Sequence, residues 1–140
     1  MKFEVLVLPS VPWAELLQRF KSVESLGFDV VSTADHFIDW TSPANPWFEP
    51  WTLLAAVARE TTTIELSTSV AQIPLRHPAM TARHTLGLDH ISDGRFRLGL
   101  GVGLPIDPSY EMMGIANWKN PERVARFKEY VEIVDQMLSN

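Results

Sequence analysis

The sequence has no cysteine among its 140 residues. That excludes a disulfide framework, a thiolate metal site and a catalytic cysteine, and it suits a reducing compartment. A cytoplasmic location is expected. Basic residues are also few, with 12 Lys+Arg against 17 Asp+Glu and a formal net charge of -5. They are scattered rather than gathered into a stripe, so nucleic acid is not an expected partner. Long apolar runs are missing as well. Residues 3–8 (FEVLVL) are interrupted by Glu4 and stopped by Pro9, too short for a signal-peptide core or for the ~20 residues of a membrane-spanning helix. A soluble, untargeted chain with no membrane partner is expected. The remaining composition, 46% hydrophobic and 21% charged, is that of one ordinary globular domain over residues 1–140.

What is present is an alternation of two patterns. Residues 3–8 are nearly all apolar and rich in β-formers, which predicts a strand buried on both faces. Trp13, Leu16, Leu17, Phe20 and Val23 then recur at helical spacing, and Gly27 supplies a stop. A second strand is predicted over 28–34, followed by an aromatic, Pro-rich loop over 35–49 of a length that usually serves function. Pro50 opens a second helix, residues 64–70 read as a third strand, and Pro78 opens a third helix that runs to about Ser92. Asp93-Gly94 turns the chain into a fourth strand over 96–101. Asn120-Pro121-Glu122 starts a last helix, with Val124, Phe127, Val131, Val134 and Leu138 as one apolar stripe. Four βα units imply an α/β fold with parallel strands, either a small open sheet or the first four units of a TIM-type (β/α)8 barrel of ~250 residues.

In both architectures ligands bind at the C-terminal ends of the strands. His36, at the exit of strand 2, is the leading catalytic candidate, because imidazole gives or takes a proton near neutrality. A loop histidine bonded to backbone is the plainer alternative. Asp35 stands beside it, and neighbouring strand residues face opposite ways. Gly99, Gly101 and Gly103 alternate, which leaves room for a flat ring or for a close backbone approach. They are not followed by the helix start of a dinucleotide fingerprint, so a Rossmann site is rejected. Trp40, Trp47, Phe48 and Trp51 crowd one loop-helix junction and read first as a hydrophobic cluster, second as a substrate wall. His77 reads as a helix cap. His84, Asp89 and His90 lack a metal spacing and read as a solvated face, so no metal site is predicted.

Read together, ADHF with Trp40 four residues after His36, EPWTLLAAVARETTTIELSTSV, RHPAMTARHTLGLDHISDGRFRLGLGVG and the late Pro121-Glu122-Arg123 resemble the bacterial luciferase-like family of flavin-dependent oxidoreductases. The resemblance spans nearly the whole chain and implies the first four units of the (β/α)8 barrel. It implies FMN or its deazaflavin relative, coenzyme F420, as cofactor, with the ring across the strand C-termini, and a small organic molecule as substrate. The reaction implied is monooxygenation or hydride transfer. His36 and Asp35 match the family residues beside the ring, His36 being the proton handler. Ser69-Val70 matches the family's non-proline cis peptide, and Thr68, Gly101 and Gly103 fall at the same strand ends. The Trp40 spacing resembles the deazaflavin-dependent sugar-phosphate dehydrogenase branch.

Two departures stand out. That branch carries a glutamate directly after the strand-4 Gly-x-Gly, and here Leu104 follows Gly103, with Glu111, later in the same loop, as the acidic candidate for the substrate pocket. The chain also stops just after its fourth helix. A half-barrel exposes apolar strand and helix faces, so self-association, or pairing with a missing C-terminal half, is expected. A non-catalytic half-barrel that assembles with a partner chain is the alternative function.

Overall fold

The computed structural model describes residues 1–139. In chain order the elements are β1 (Glu4–Leu6), α1 (Trp13–Ser25), β2 (Val30–Thr33), α2 (Pro50–Glu60), β3 (Glu65–Thr68), β4 (Ala71–Gln72), a 3-10 turn (Ile73–Leu75), α3 (Pro78–Ile91), β5 (Phe96–Arg97), β6 (Leu100–Gly101), α4 (Ser109–Met112) and α5 (Asn120–Leu138). Strands β1, β2, β3 and β5 form one parallel sheet in that order, and β4 and β6 pair, also in parallel, as a second sheet. Neighbours in sequence are thus neighbours in the sheet. The order never reverses, as it does at the switch point of a doubly wound sheet, and this is the strand order of a barrel. No helix among the described residues is long and apolar enough to cross a membrane.

The register explains the core. Val5, Val31, Leu66 and Phe96 lie on one row across the four strands. Val31, Leu66 and Phe96 are in the main apolar cluster, with Val5 packed against it, beside Leu16 and Phe20 of α1 and Leu54 and Val57 of α2. The next row, Leu6, Ser32, Ser67 and Arg97, has the opposite parity and faces away from the helices. Helix starts follow their caps. Glu49 accepts from Thr52 N at 2.8 Å ahead of Pro50, and His77 Nδ1 accepts from Ala79 N at 3.2 Å ahead of Pro78. Arg95 closes the other end of α2, donating to the carbonyls of Ala58 and Ile64 at 2.8 and 2.9 Å.

Several expected features differ. Strand β1 is shorter than residues 3–8 and is not buried on both faces, since it is the sheet edge and Phe3, Leu6 and Leu8 are exposed. The strands expected over 64–70 and 96–101 are each broken in two. Three residues separate Ser67 from Ala71, but only two separate Arg97 from Leu100, so β3–β4 carries one extra residue, a bulge that re-aims the chain. The cis Ser69–Val70 peptide sits in that bulge. Helix α5 turns Arg123, Tyr130 and Val134 inward, whereas Val124 and Val131 of the expected stripe are exposed. Its inner face is set by the contact with α3, where the Tyr130 hydroxyl meets Thr81 at 2.5 Å. His84 does not lie on a solvated face, because its ring packs 5.5 Å from that of Trp51.

Candidate active site

Broken strands place the site. Where β3 and β5 end, the Thr68 hydroxyl donates to Gly99 O at 2.9 Å and accepts from Gly99 N at 3.1 Å. Thr68 is therefore fully buried as a clamp and lines no groove. Beyond the clamp, Ala71 N donates to Gly99 O at 2.7 Å, and the chain enters β4 beside β6. A groove of about 370 Å³ opens at this level, lined by His36, Ser69, Val70, Gln72 and Gly101 to Leu104. On the other side of His36 lies a second hollow of about 360 Å³, bounded by Asp35, Phe37, Trp47, Glu49, Leu75, Arg76 and Met113.

The alternating glycines serve close approach rather than empty space. A Cβ on Gly99 would lie 2.1 Å from Thr68 O, one on Gly101 2.2 Å from Val70 Cγ2, and one on Gly103 2.1 Å from the Tyr110 hydroxyl. Gly103 also has φ +76°, the left-handed region that glycine enters freely.

His36 is held from one side of its ring. Its Nδ1 lies 2.7 Å from Asp107 Oδ2 and 3.0 Å from Gln72 Nε2. Nε2 has no protein partner among the described residues. Trp40 lies against the imidazole with ring centroids 4.8 Å apart, and Trp47 approaches at 5.9 Å. Of the expected aromatic cluster, Trp51 is a core residue against Phe96, while Trp40 and Trp47 flank the histidine. Asp107 Oδ1 accepts from Ser109 N at 2.8 Å, and Ser109 Oγ accepts from Phe37 N at 2.9 Å, which docks α4 onto the exit of β2. Burial pushes the Asp107 carboxyl up, yet hydrogen bonds from Gln72, Ser109 and His36 outweigh it and hold the group below the usual carboxylate range.

Asp35 faces differently from its neighbour, as strand parity requires. Both its oxygens bind the Arg76 guanidinium, Oδ2 also accepts from Gln72 N at 3.0 Å, and the side chain is 1% exposed. Arg76 further donates to Glu49 at 2.9 Å. Burial raises the Asp35 carboxyl above its ordinary range despite the arginine, and Arg76 stays charged between its two carboxylates. Glu111 is exposed and lines neither hollow.

Sequence reasoning did not single out Gln72, Asp107 or Tyr110, and it met Arg76 and Arg123 only within the segments that carry the family resemblance, with no role for either. Gln72 is the hub: its amide also contacts Asp35 O at 2.5 Å, and its oxygen accepts from Tyr110 at 2.7 Å. Behind Tyr110, Arg123 is 2% exposed and has no carboxylate partner among the described residues, donating instead to the oxygens of Trp118, Val102 and Asn117 at 2.8, 2.9 and 2.5 Å. Its guanidinium stacks 5.0 Å from the Tyr110 ring centroid.

Sequentially ordered parallel strands with a ligand-sized groove at their C-terminal ends are the architecture of a (β/α) barrel, in which that end carries the ligand sites. The chain belongs to the luciferase-like monooxygenase family, whose model matches residues 1–140. It is 32% identical over 127 residues to an F420-dependent glucose-6-phosphate dehydrogenase of Segniliparus rotundus, covering 88% of this chain and 37% of that protein. Among solved structures, an F420-dependent secondary alcohol dehydrogenase in complex with an F420-acetone adduct superposes with a TM-score of 0.84 at 23% identity, over 96% of this chain and 42% of that one. Monooxygenase RslO1 from Streptomyces bottropensis superposes with a TM-score of 0.73 at 31% identity, over the same two shares. The chain thus spans less than half the length of these relatives.

Proposed function

We propose that this chain carries the ring-binding part of a cofactor-dependent oxidoreductase acting on a small organic molecule, with FMN or coenzyme F420 as the cofactor. The groove beside the cis Ser69–Val70 peptide carries this reading. Its lining fits a flat conjugated ring: Val70, 41% exposed, and Gly101 give an apolar floor, and His36 gives one polar edge. Ser69, Val70, Gly101 and Gly103 would hold the ring. Bound there, the cofactor supplies hydride acceptance or delivery, or oxygen chemistry in its reduced form. His36 holds or moves a proton at Nε2, its free ring nitrogen. Asp35 acts at one remove, tying the exit of β2 to β4 and Arg76. Trp40 fixes the plane of the imidazole, and its outer edge belongs to the substrate side.

Completion of the barrel, by chain beyond these residues or by a second copy, would cover Phe3, Leu6 and Leu8, which are 60%, 49% and 47% exposed. A soluble, cytoplasmic setting suits such an enzyme. The test is a fluorescence titration of the chain with FMN and with coenzyme F420. Saturable binding of one names the cofactor, and binding of neither removes the ring-binding role from this chain.

A further inference from the structure

We infer that Asp107 and Gln72 are positioning residues that keep the ring proton of His36 on Nδ1 and leave Nε2 bare. The inference rests on His36 being the working side chain of the groove.

Gln72 comes first. Its side-chain nitrogen lies 2.5 Å from the Asp35 carbonyl oxygen and 2.8 Å from Asp107 Oδ2. A carbonyl and an ionised carboxylate only accept, so the amide must present its nitrogen to them and spend both hydrogens there. The amide oxygen is turned the other way, where the Tyr110 hydroxyl donates to it at 2.7 Å. Tyr110 is itself seated beneath the buried Arg123 guanidinium. Gln72 is 4% exposed, so water does not offer its amide an alternative partner. It therefore stands 3.0 Å from His36 Nδ1 with no hydrogen left to give.

Nδ1 is also 2.7 Å from Asp107 Oδ2. Two lone pairs at that separation repel, so one of the two atoms carries a hydrogen. Asp107 is fully buried at its carboxyl, accepts from Ser109 N and Gln72, and is held ionised by those bonds. The hydrogen is on Nδ1. A neutral imidazole has one such hydrogen, so Nε2 is an acceptor. The device is assembled from three parts of the chain, the exit of β2, strand β4 and the loop before α4, and it leaves open the nitrogen that the protein does not contact.

The variant that exposes it is Asp107→Asn. Ser109 N continues to require an acceptor, so the new amide keeps its oxygen at the Oδ1 position and turns its NH2 toward Nδ1. A donor then faces Nδ1, and the ring proton moves to Nε2, the tautomeric error that follows loss of an orienting carboxylate beside a histidine.

The experiment is a long-range ¹H–¹⁵N correlation spectrum of the 140-residue chain labelled with [¹⁵N]histidine, at a pH where the imidazole is neutral and with no cofactor present. His36→Asn identifies the His36 signals by their disappearance from among those of the four histidines. The expected result is a protonated Nδ1 and a bare Nε2 in the unmodified chain, with the pattern exchanged in Asp107→Asn. A protonated Nε2 in the unmodified chain overturns the inference without reference to any variant. An unchanged pattern in a folded Asp107→Asn overturns the role of Asp107. Titration of the same sample with FMN and coenzyme F420 separates the two readings. A protonated Nδ1 without cofactor binding leaves the positioning intact and removes the functional proposal.

Discussion

Gly101 and Val70 occupy one another's space: a Cβ added to Gly101 would fall 2.2 Å from Val70 Cγ2 and 3.1 Å from Val70 Cβ. The side chain that follows the cis peptide is therefore seated on β6 only because residue 101 has none. Gly101→Ala must push Val70 out into the groove or move β6 away from β4. Overpacking of this kind costs roughly 1–3 kcal/mol. We expect a lower denaturation midpoint together with weakened cofactor binding, and Gly101→Ala with Val70→Ala in the same chain should recover part of the stability.

Asp35 and Arg76 form the buried ion pair of the site, their side chains 1% and 16% exposed. Removing one member leaves the other's charge buried, which costs about 3–5 kcal/mol, far more than an exposed pair such as Arg19–Glu15. Arg76→Met should lower the urea midpoint strongly, and Arg19→Met should leave it almost unchanged. Similar losses in the two variants would show that the Asp35 pair is not the anchor described here.

Glu65 gives the pH dependence a definite sign. Arg97 and Lys2 bond its carboxylate and hold it at about 2, below its ordinary 4.5. A depressed carboxylate stabilises the folded chain above its unfolded value and loses that contribution as pH falls. The melting temperature should therefore drop between about pH 4.5 and about pH 2, and Glu65→Gln should lower it at neutral pH and flatten that slope, so that the two chains converge in acid. Thermal melts of both chains across this range check it.

Arg123 makes its three hydrogen bonds through a planar fork and stacks on Tyr110. Lysine keeps the charge but not the fork. Arg123→Lys is expected to destabilise by about 2 kcal/mol and to shift the Tyr110 ring resonances. Stability equal to the parent chain would mean that the fork is dispensable.

Much of this architecture was legible in the sequence, because helix periodicity and capping are local. Proline at the first turn of α2 and α3, and the Leu16, Phe20 and Val23 stripe of α1, fixed the βα alternation. Strand lengths were less legible, since 64–70 and 96–101 read as continuous β-formers and only the pairing shows one extra residue between β3 and β4. The Ser69–Val70 cis peptide was reached through family resemblance, not from propensity. Within the site, His36 was visible from its place after a strand. Asp107 was not, because it lies 71 positions beyond His36 and nothing local marks a carboxylate that will be brought across a barrel top. Gln72 was hidden for a related reason, being an unremarked polar residue whose partners come from three other segments.

The central claim, that the groove beside Ser69–Val70 receives the cofactor ring, is tested most directly by amide shift mapping. The ¹⁵N-labelled chain would be titrated with whichever of FMN or coenzyme F420 it binds. The account predicts that the largest shifts fall at Ser69 to Gln72 and Gly101 to Leu104, with His36 among them. Shifts centred instead on the separate hollow between α3 and α5, around His77, Arg126 and Tyr130, would contradict it.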